Sequence, residues 1–292
     1  MTKLLDLTIA ELNLHHTKPA AISISPDTTI KDALVLLKEK NILAFPLQSR
    51  SNVDKITSLV NVFDILLYGS DQIEKKGKLD LTRPVDEVLS LDDDRESYLM
   101  QVFDYRDTLR EVMNVFKTGH HHRAWISDAM NVLPSCIMTQ SDIIRYTYAH
   151  PDFQVGCDKQ ADLITLGLVP DARPIHSITI NATAVQGFQT MRQQNVLALP
   201  ILGKHNEIIS TLSASDLRGL TEEKFGSFNQ PVMDFLGSTA KVPVTCTGAD
   251  SLQSVIDKII AKHVHRVWVV DGDNKVIGVV SLSDVISALA GK

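Results

Sequence analysis

His265-Arg266-Val267-Trp268-Val269-Val270-Asp271, followed by Val276-Ile277-Gly278-Val279-Val280-Ser281-Leu282-Ser283-Asp284-Val285-Ile286, is the stretch that decides the fold. Two apolar runs rich in β-branched residues are split by the turn-formers Asp271-Gly272-Asp273-Asn274, so they read as a strand hairpin. The Ser281-x-x-Asp284 that closes the second run is a helix-start signal and sends the chain from the hairpin into a helix.

The same arrangement recurs upstream. Thr139-Gln140-Ser141-Asp142, Ser213-Ala214-Ser215-Asp216 and, with a weaker match, Asn61-Val62-Phe63-Asp64 stand in the role of Ser281 to Asp284. Successive acids lie about 70 to 80 residues apart, so the chain is four copies of one unit. Each copy opens with an extended apolar segment, such as Ala21 to Ile24, Ile175 to Ile180 or Val242 to Cys246. An amphipathic helix follows, with apolar residues at helical spacing: Ile30, Ala33, Leu34 and Leu37 in the first copy, Leu252, Val255, Ile256 and Ile259 in the last. The result is an α/β (α+β) protein built from β-α-β-β-α units.

Two versions of the strand after that helix alternate along the chain. Leu43-Ala44-Phe45-Pro46-Leu47 resembles Leu197-Ala198-Leu199-Pro200-Ile201, whereas His122-Arg123-Ala124-Trp125-Ile126 resembles His265 to Val269. The copies therefore come as two pairs, first with second and third with fourth. The expected boundaries are a segment 1–18, repeats at 19–70 and 84–150, a linker at 151–172 that carries Pro and Gly, and repeats at 173–222 and 230–292.

Composition narrows the function classes. A chain of 292 residues with 44% hydrophobic and 22% charged residues has the profile of a soluble globular protein with room for two bodies of ordinary domain size. Neither a membrane-length apolar stretch nor a secretory leader is read from it, which points to the cytosol, with the nucleus as a second compartment. The net charge of −6 argues against general nucleic-acid binding, since that needs a basic surface. Cys136, Cys157 and Cys246 are isolated, so neither a disulfide framework nor a structural zinc site is expected. The mixed-charge runs at Asp71 to Lys76 and Asp92 to Glu96 read as solvated loop surface, with an acidic metal site at Asp92 to Asp94 as the weaker alternative. His120, His121 and His122 alternate in direction along a strand and make no ready three-ligand set. Trp125 and Trp268 read as packing anchors within apolar runs.

Ser281-x-x-Asp284 has two chemical readings. A helix N-terminus presents unpaired N–H groups and partial positive charge, which suits a phosphate, and a carboxylate in the first turn can accept from the vicinal hydroxyls of a ribose. The same four residues are also close to a capping box, which needs no ligand. The His-Arg pairs weigh toward ligand binding. Arg offers a planar fork to phosphate oxygens and His can donate to them, and both stand at the edge of an otherwise apolar strand beside an acid. Lys117, Lys262 and His263 add positive charge nearby.

The β-α-β-β-α unit closing on Ser-x-x-Asp resembles the CBS domain. Four copies in one chain, with Ala-apolar-Pro strands alternating with Val264-His265-Arg266-type strands, resemble the γ regulatory subunits of AMP-activated and SNF1-type protein kinases from about Pro19 to the C-terminus. The resemblance implies two CBS pairs, or Bateman modules, closed into a pseudo-symmetric disk. It implies that AMP, ADP or ATP is the regulatory ligand, with no other cofactor and no metal. By the same resemblance His122, Arg123, His265 and Arg266, with Thr139, Ser213 and Ser281, hold phosphate, while Asp64, Asp142, Asp216 and Asp284 hold ribose. Leu43 stands where the family's first repeat commonly has Arg, and Thr139-Gln140-Ser141-Asp142 replaces a more basic stretch. Kinase catalytic and scaffold subunits are the implied partners. G-x-S-x-G, H-E-x-x-H and P-loop patterns are not found, and an acid repeated once per unit suits binding better than catalysis. The alternative is a stand-alone CBS adaptor for another enzyme, such as a phosphatase, with weak or no nucleotide binding.

Overall fold

The computed structural model describes residues 3–91, 100–169 and 174–291; the acidic run from Asp92 to Asp94 and the end of the expected linker lie outside them. In the second repeat Gln101–Asp104 runs parallel to Arg123–Ser127, which pairs antiparallel with Cys136–Thr139. Helix Leu109–Phe116 makes the parallel crossover and helix Gln140–Ala149 follows the hairpin. Thr245–Cys246, Leu252–Lys262, Arg266–Val270, Val276–Ser281 and Leu282–Ala290 repeat the pattern in the fourth copy. Parallel strands need a crossover, and here a helix supplies it while covering the sheet with its apolar stripe. The stripes read from sequence are the buried faces: Ile30, Ala33, Leu34 and Leu37 in one helix, Leu252, Val255, Ile256 and Ile259 in another.

The other two repeats depart from the pattern at one end each. In the first, the opening strand shrinks to a single parallel bridge between Ile24 and Leu47, hemmed by Pro26, before helix Ile30–Glu39, strands Ala44–Gln48 and Ile56–Asn61, and helix Val62–Lys76. In the third, Ile178–Thr179, Ala184–Gln193, Ala198–Leu202 and Ile208–Ser213 are followed by a 3-10 turn, Ala214–Leu217, where the sequence pattern called for an α-helix. Gly219, at φ +74°, takes the left-handed region just past this turn and stops its growth.

The chain forms two compact units. Residues 1–21, 101–175 and 244–292 make the first, which carries the sheets of repeats two and four; residues 22–100 and 176–243 make the second, with those of one and three. The copies that look alike in sequence thus share a core. Phe116, Ile143, Val255 and Ile286 belong to one apolar cluster, and Ile30, Phe63, Phe188 and Leu212 to the other.

Sequence neighbours are linked differently, by exchanged arms. The residue that starts each crossover helix bridges to a segment leading into its sequence neighbour: Thr29 to Pro84, Thr108 to Thr8, Thr183 to Pro231 and Ser251 to Asp162. The segment read as an N-terminal extension therefore packs on the second repeat, with Leu4 and Ile9 fully buried in its core. Burying two such side chains contributes about 1.5 to 3 kcal/mol each. The stretch after Pro151 lies against the fourth repeat: Gly156 N–H donates to Leu289 O at 2.7 Å, and a Cβ at Gly156 would stand 2.3 Å from the Gly291 nitrogen.

Candidate functional site

All four repeats build the same junction between hairpin and closing helix. The N–H of the first helical residue donates to the carbonyl of the residue that precedes the middle strand: Val62 to Leu43 (2.8 Å), Gln140 to His122 (3.3 Å), Ala214 to Leu197 (3.0 Å) and Leu282 to His265 (3.1 Å). One residue further on, strand register sets Ala44 opposite Asn61, Arg123 opposite Thr139, Ala198 opposite Ser213 and Arg266 opposite Ser281. The framework is fourfold, but its chemistry is twofold. An arginine faces the helix start in repeats two and four, and an alanine faces it in repeats one and three.

Each acid closes a cap. Thr139 donates to Asp142 Oδ2 from its N–H (2.6 Å) and Oγ1 (2.7 Å), and Ser281 does the same to Asp284 Oδ2 at 2.8 and 2.6 Å. Ser213 N–H donates to Asp216 Oδ2 at 2.8 Å, while its hydroxyl is shared with Ser215 at 2.7 Å. Asn61 accepts from Asp64 N–H at 3.0 Å. The capping reading is thus realised in all four copies, and a carboxylate held this way has one oxygen fixed while the other is set by its surroundings. Those surroundings differ. Asp64 and Asp142 are buried, at 4% and 7% exposure, whereas Asp216 and Asp284 are half-buried.

In the first unit the two chemically richer junctions meet. Gln140 Nε2, at the start of helix Gln140–Ala149, donates to Ser283 Oγ (2.8 Å) in the first turn of Leu282–Ala290, and also to Phe116 O (3.1 Å) and His121 O (3.4 Å). Gln140 Oε1 lies 3.3 Å from His122 Nδ1. Two helix N-termini, each a partial positive charge, are therefore brought together over a buried amide. His265 reports the field there. Crowding by protein atoms first, then the charges of Arg266, Arg123, His122 and Arg145, push its imidazole down to about 4. The ring is nonetheless open to solvent. Four basic side chains thus bear on His265, and a local positive field of that kind suits an anion.

The sequence-predicted residues thus divide. His122, Arg123, His265, Arg266, Thr139, Asp142, Ser281 and Asp284 share one unit, and Asp64, Ser213 and Asp216 lie in the other. Three contributors were not anticipated. Arg145, on the same helix as Asp142 with Nη1 4.0 Å from its Oδ1, was legible from its i,i+3 spacing. Ser283 is bound to Gln140 across 143 residues and had no such signal. Nor had Lys18, whose Nζ reaches Asp142 Oδ2 at 2.5 Å from 124 residues away. Trp268 is buried, consistent with packing, and Trp125 is half-buried. Burial raises the thiols of Cys136 and Cys157, and that of Cys246 to about 11. Among the described residues no group of three or more His, Cys, Asp or Glu could hold a metal ion, and no helix is long and apolar enough to cross a membrane.

Comparison with known proteins agrees with this architecture. The CBS domain model matches residues 234–291. The SNF1-related protein kinase regulatory subunit gamma-like PV42a of Arabidopsis thaliana is 27% identical over 172 residues, 52% of this chain and 48% of that protein. The SNF1-related protein kinase regulatory subunit gamma-1-like of the same plant is 33% identical over 130 residues, 40% of this chain and 29% of that protein. A crystal structure from Methanocaldococcus jannaschii, of a protein described as a proposed archaeal homologue of γ-AMPK, superposes with a TM-score of 0.73 at 18% identity, covering 96% of this chain and 99% of that one. Residues 234–291 are thus matched as a CBS domain, and the four-repeat fold is that of the archaeal protein. In sequence the chain is similar to the γ-type regulatory subunits of SNF1-related kinases. It spans about half or less of the length of the two plant relatives.

Proposed function

We propose that this chain is a non-catalytic regulatory protein whose first unit binds an adenine nucleotide, AMP, ADP or ATP, and that a kinase assembly of the SNF1/AMPK type reads the occupancy. The observation that carries the reading is the convergence of Arg123, Arg266, His122 and Arg145 on His265 beside two helix starts. A phosphate dianion bound there would be attracted by this positive field and would accept forked hydrogen bonds from the arginines. Asp284, half-buried and fixed through one oxygen by Ser281, stands at one of those helix starts, where it would accept from the ribose. In the other unit Ala44 and Ala198 occupy the arginine positions, so Asp64 and Asp216 would hold at most the sugar of a ligand without phosphate recognition from that strand. The kinase partnership is supported by the names of the relatives, which are regulatory subunits. Coupling would arise if nucleotide binds two arrangements of the repeats unequally.

The roles are tested by comparing AMP with adenosine. Arg266→Ala should weaken AMP by about 1.5 to 3 kcal/mol, roughly 10- to 150-fold, and leave adenosine nearly unchanged, because it removes a charged contact to phosphate alone. Equal losses for the two ligands would refute the assignment of Arg266.

A further inference from the structure

The carboxylate of the second repeat is already engaged by the chain itself. Asp142 Oδ2 accepts from Thr139 N–H, from Thr139 Oγ1 and, at 2.5 Å, from the ammonium of Lys18, which also donates to Ile137 O at 2.6 Å. Lys18 is not a passing surface residue. Its own N–H is bound to Leu14 O at 2.9 Å, Ala21 N–H is bound to Ser135 O at 2.9 Å, and Leu12 and Leu14 are buried in the core of the unit. Residues 14 to 21 are therefore strapped beside the strand Cys136–Thr139 that leads into Asp142. The pair is largely withdrawn from water, with 24% of Lys18 and 7% of Asp142 exposed.

An ammonium and a ribose compete for the same lone pairs on a carboxylate. The ammonium neutralises the charge, which a neutral diol cannot do, so in a part-buried setting it is the favoured occupant. Asp284 has the same cap donors but keeps more of its surface open. We infer that Lys18 is a built-in occupant of the second-repeat site, standing where the ribose would stand at Asp142 and leaving Asp284 as the sugar-holding carboxylate of the first unit. Lys18 is then a specificity determinant: it sets how many nucleotides the unit takes, although no residue near it in sequence belongs to a binding motif. This inference rests on the nucleotide reading above.

The test is the number of AMP molecules bound per full-length chain, measured by equilibrium dialysis. Lys18→Ala should bind one AMP more than the wild type. Lys18→Arg, which keeps the cation, and the double variant Lys18→Ala/Asp142→Ala should both return the wild-type number. Should Lys18→Ala unfold below the assay temperature, Lys18→Gln removes the charge while keeping a hydrogen-bond donor for Asp142, and the same increase is expected. An unchanged stoichiometry in a folded charge-removing variant overturns the inference and leaves the nucleotide reading intact. A wild type that binds no AMP beside a Lys18→Ala that binds one sustains the occupant role and overturns the nucleotide reading for the native chain. Absence of binding in both overturns both.

Discussion

Proton uptake on binding is the sharpest consequence of the cations gathered around His265. In the free protein the His265 imidazole is held down to about 4 by crowding and by Arg266, Arg123, His122 and Arg145, so at pH 5.5 only ~3% of it is protonated. A bound phosphate dianion reverses the sign of the local field. If it returns the group to an ordinary value of ~6.5, about 90% is protonated at pH 5.5, an uptake of ~0.9 proton per ligand and close to a tenfold gain in affinity per pH unit lost. The phosphate of AMP, with a second pKa near 6, releases protons on binding as the dianion and works in the opposite direction. Comparison with His265→Gln removes that contribution, because it is common to both proteins. Calorimetry at pH 5.5 in two buffers of different ionisation enthalpy gives the proton number directly. The wild type should take up close to one proton more than His265→Gln. Equal proton numbers would mean that His265 does not sense the ligand, and the surrounding cations would not be the phosphate site.

The same depression has a consequence for stability. A group held below its unfolded value contributes stability that is present above about 6.5 and lost as the pH falls from there toward about 4; His265→Gln should flatten the urea midpoint across that window, and an unaltered pH profile would contradict the depressed value. Gln140→Leu removes the donor to Ser283 Oγ and Phe116 O inside the unit, and chemical denaturation should report a loss of about 1 to 3 kcal/mol. Ile9→Ala opens a cavity in the core that the N-terminal arm completes, and should cost about 2 to 5 kcal/mol by the same measurement; a negligible change would show that the arm is not part of the fold. Asp284→Ala deletes a cap and the sugar acceptor, so AMP and adenosine should weaken alike in calorimetric titration, by about 1 to 3 kcal/mol.

Local pattern made most of the repeat legible before any coordinate. Helix stripes such as Leu252, Val255, Ile256 and Ile259 follow from spacing alone, and the hairpin around Asp271 to Asn274 follows from turn chemistry. What spacing could not show is which copies share a core. Adjacent repeats exchange arms, through the bridges at Thr29, Thr108, Thr183 and Ser251, yet the apolar clusters join repeat two to four and one to three. That grouping depends on contacts far apart in sequence, and the likenesses of His122-Arg123 to His265-Arg266 and of Ala44-Phe45-Pro46 to Ala198-Leu199-Pro200 hinted at it. The third repeat lost its closing helix to Gly219, six residues beyond the Ser213 cap that looked sufficient. In the site, the His-Arg pairs and the capped acids were visible as motifs, whereas Lys18 on Asp142 was not, because an ion pair across 124 residues leaves no trace in spacing.

Calorimetric titration of the full chain with AMP, ADP and ATP, beside the double variant Arg123→Ala/Arg266→Ala, tests the central claim most directly. The proposed site predicts micromolar binding of at least one of these nucleotides to the wild type, with loss of that binding in a variant whose thermal unfolding is otherwise unchanged. Wild-type binding that survives the loss of both arginines, or no heat and no thermal stabilisation with any of the three, would contradict it, and the second outcome would favour an adaptor that works without nucleotide.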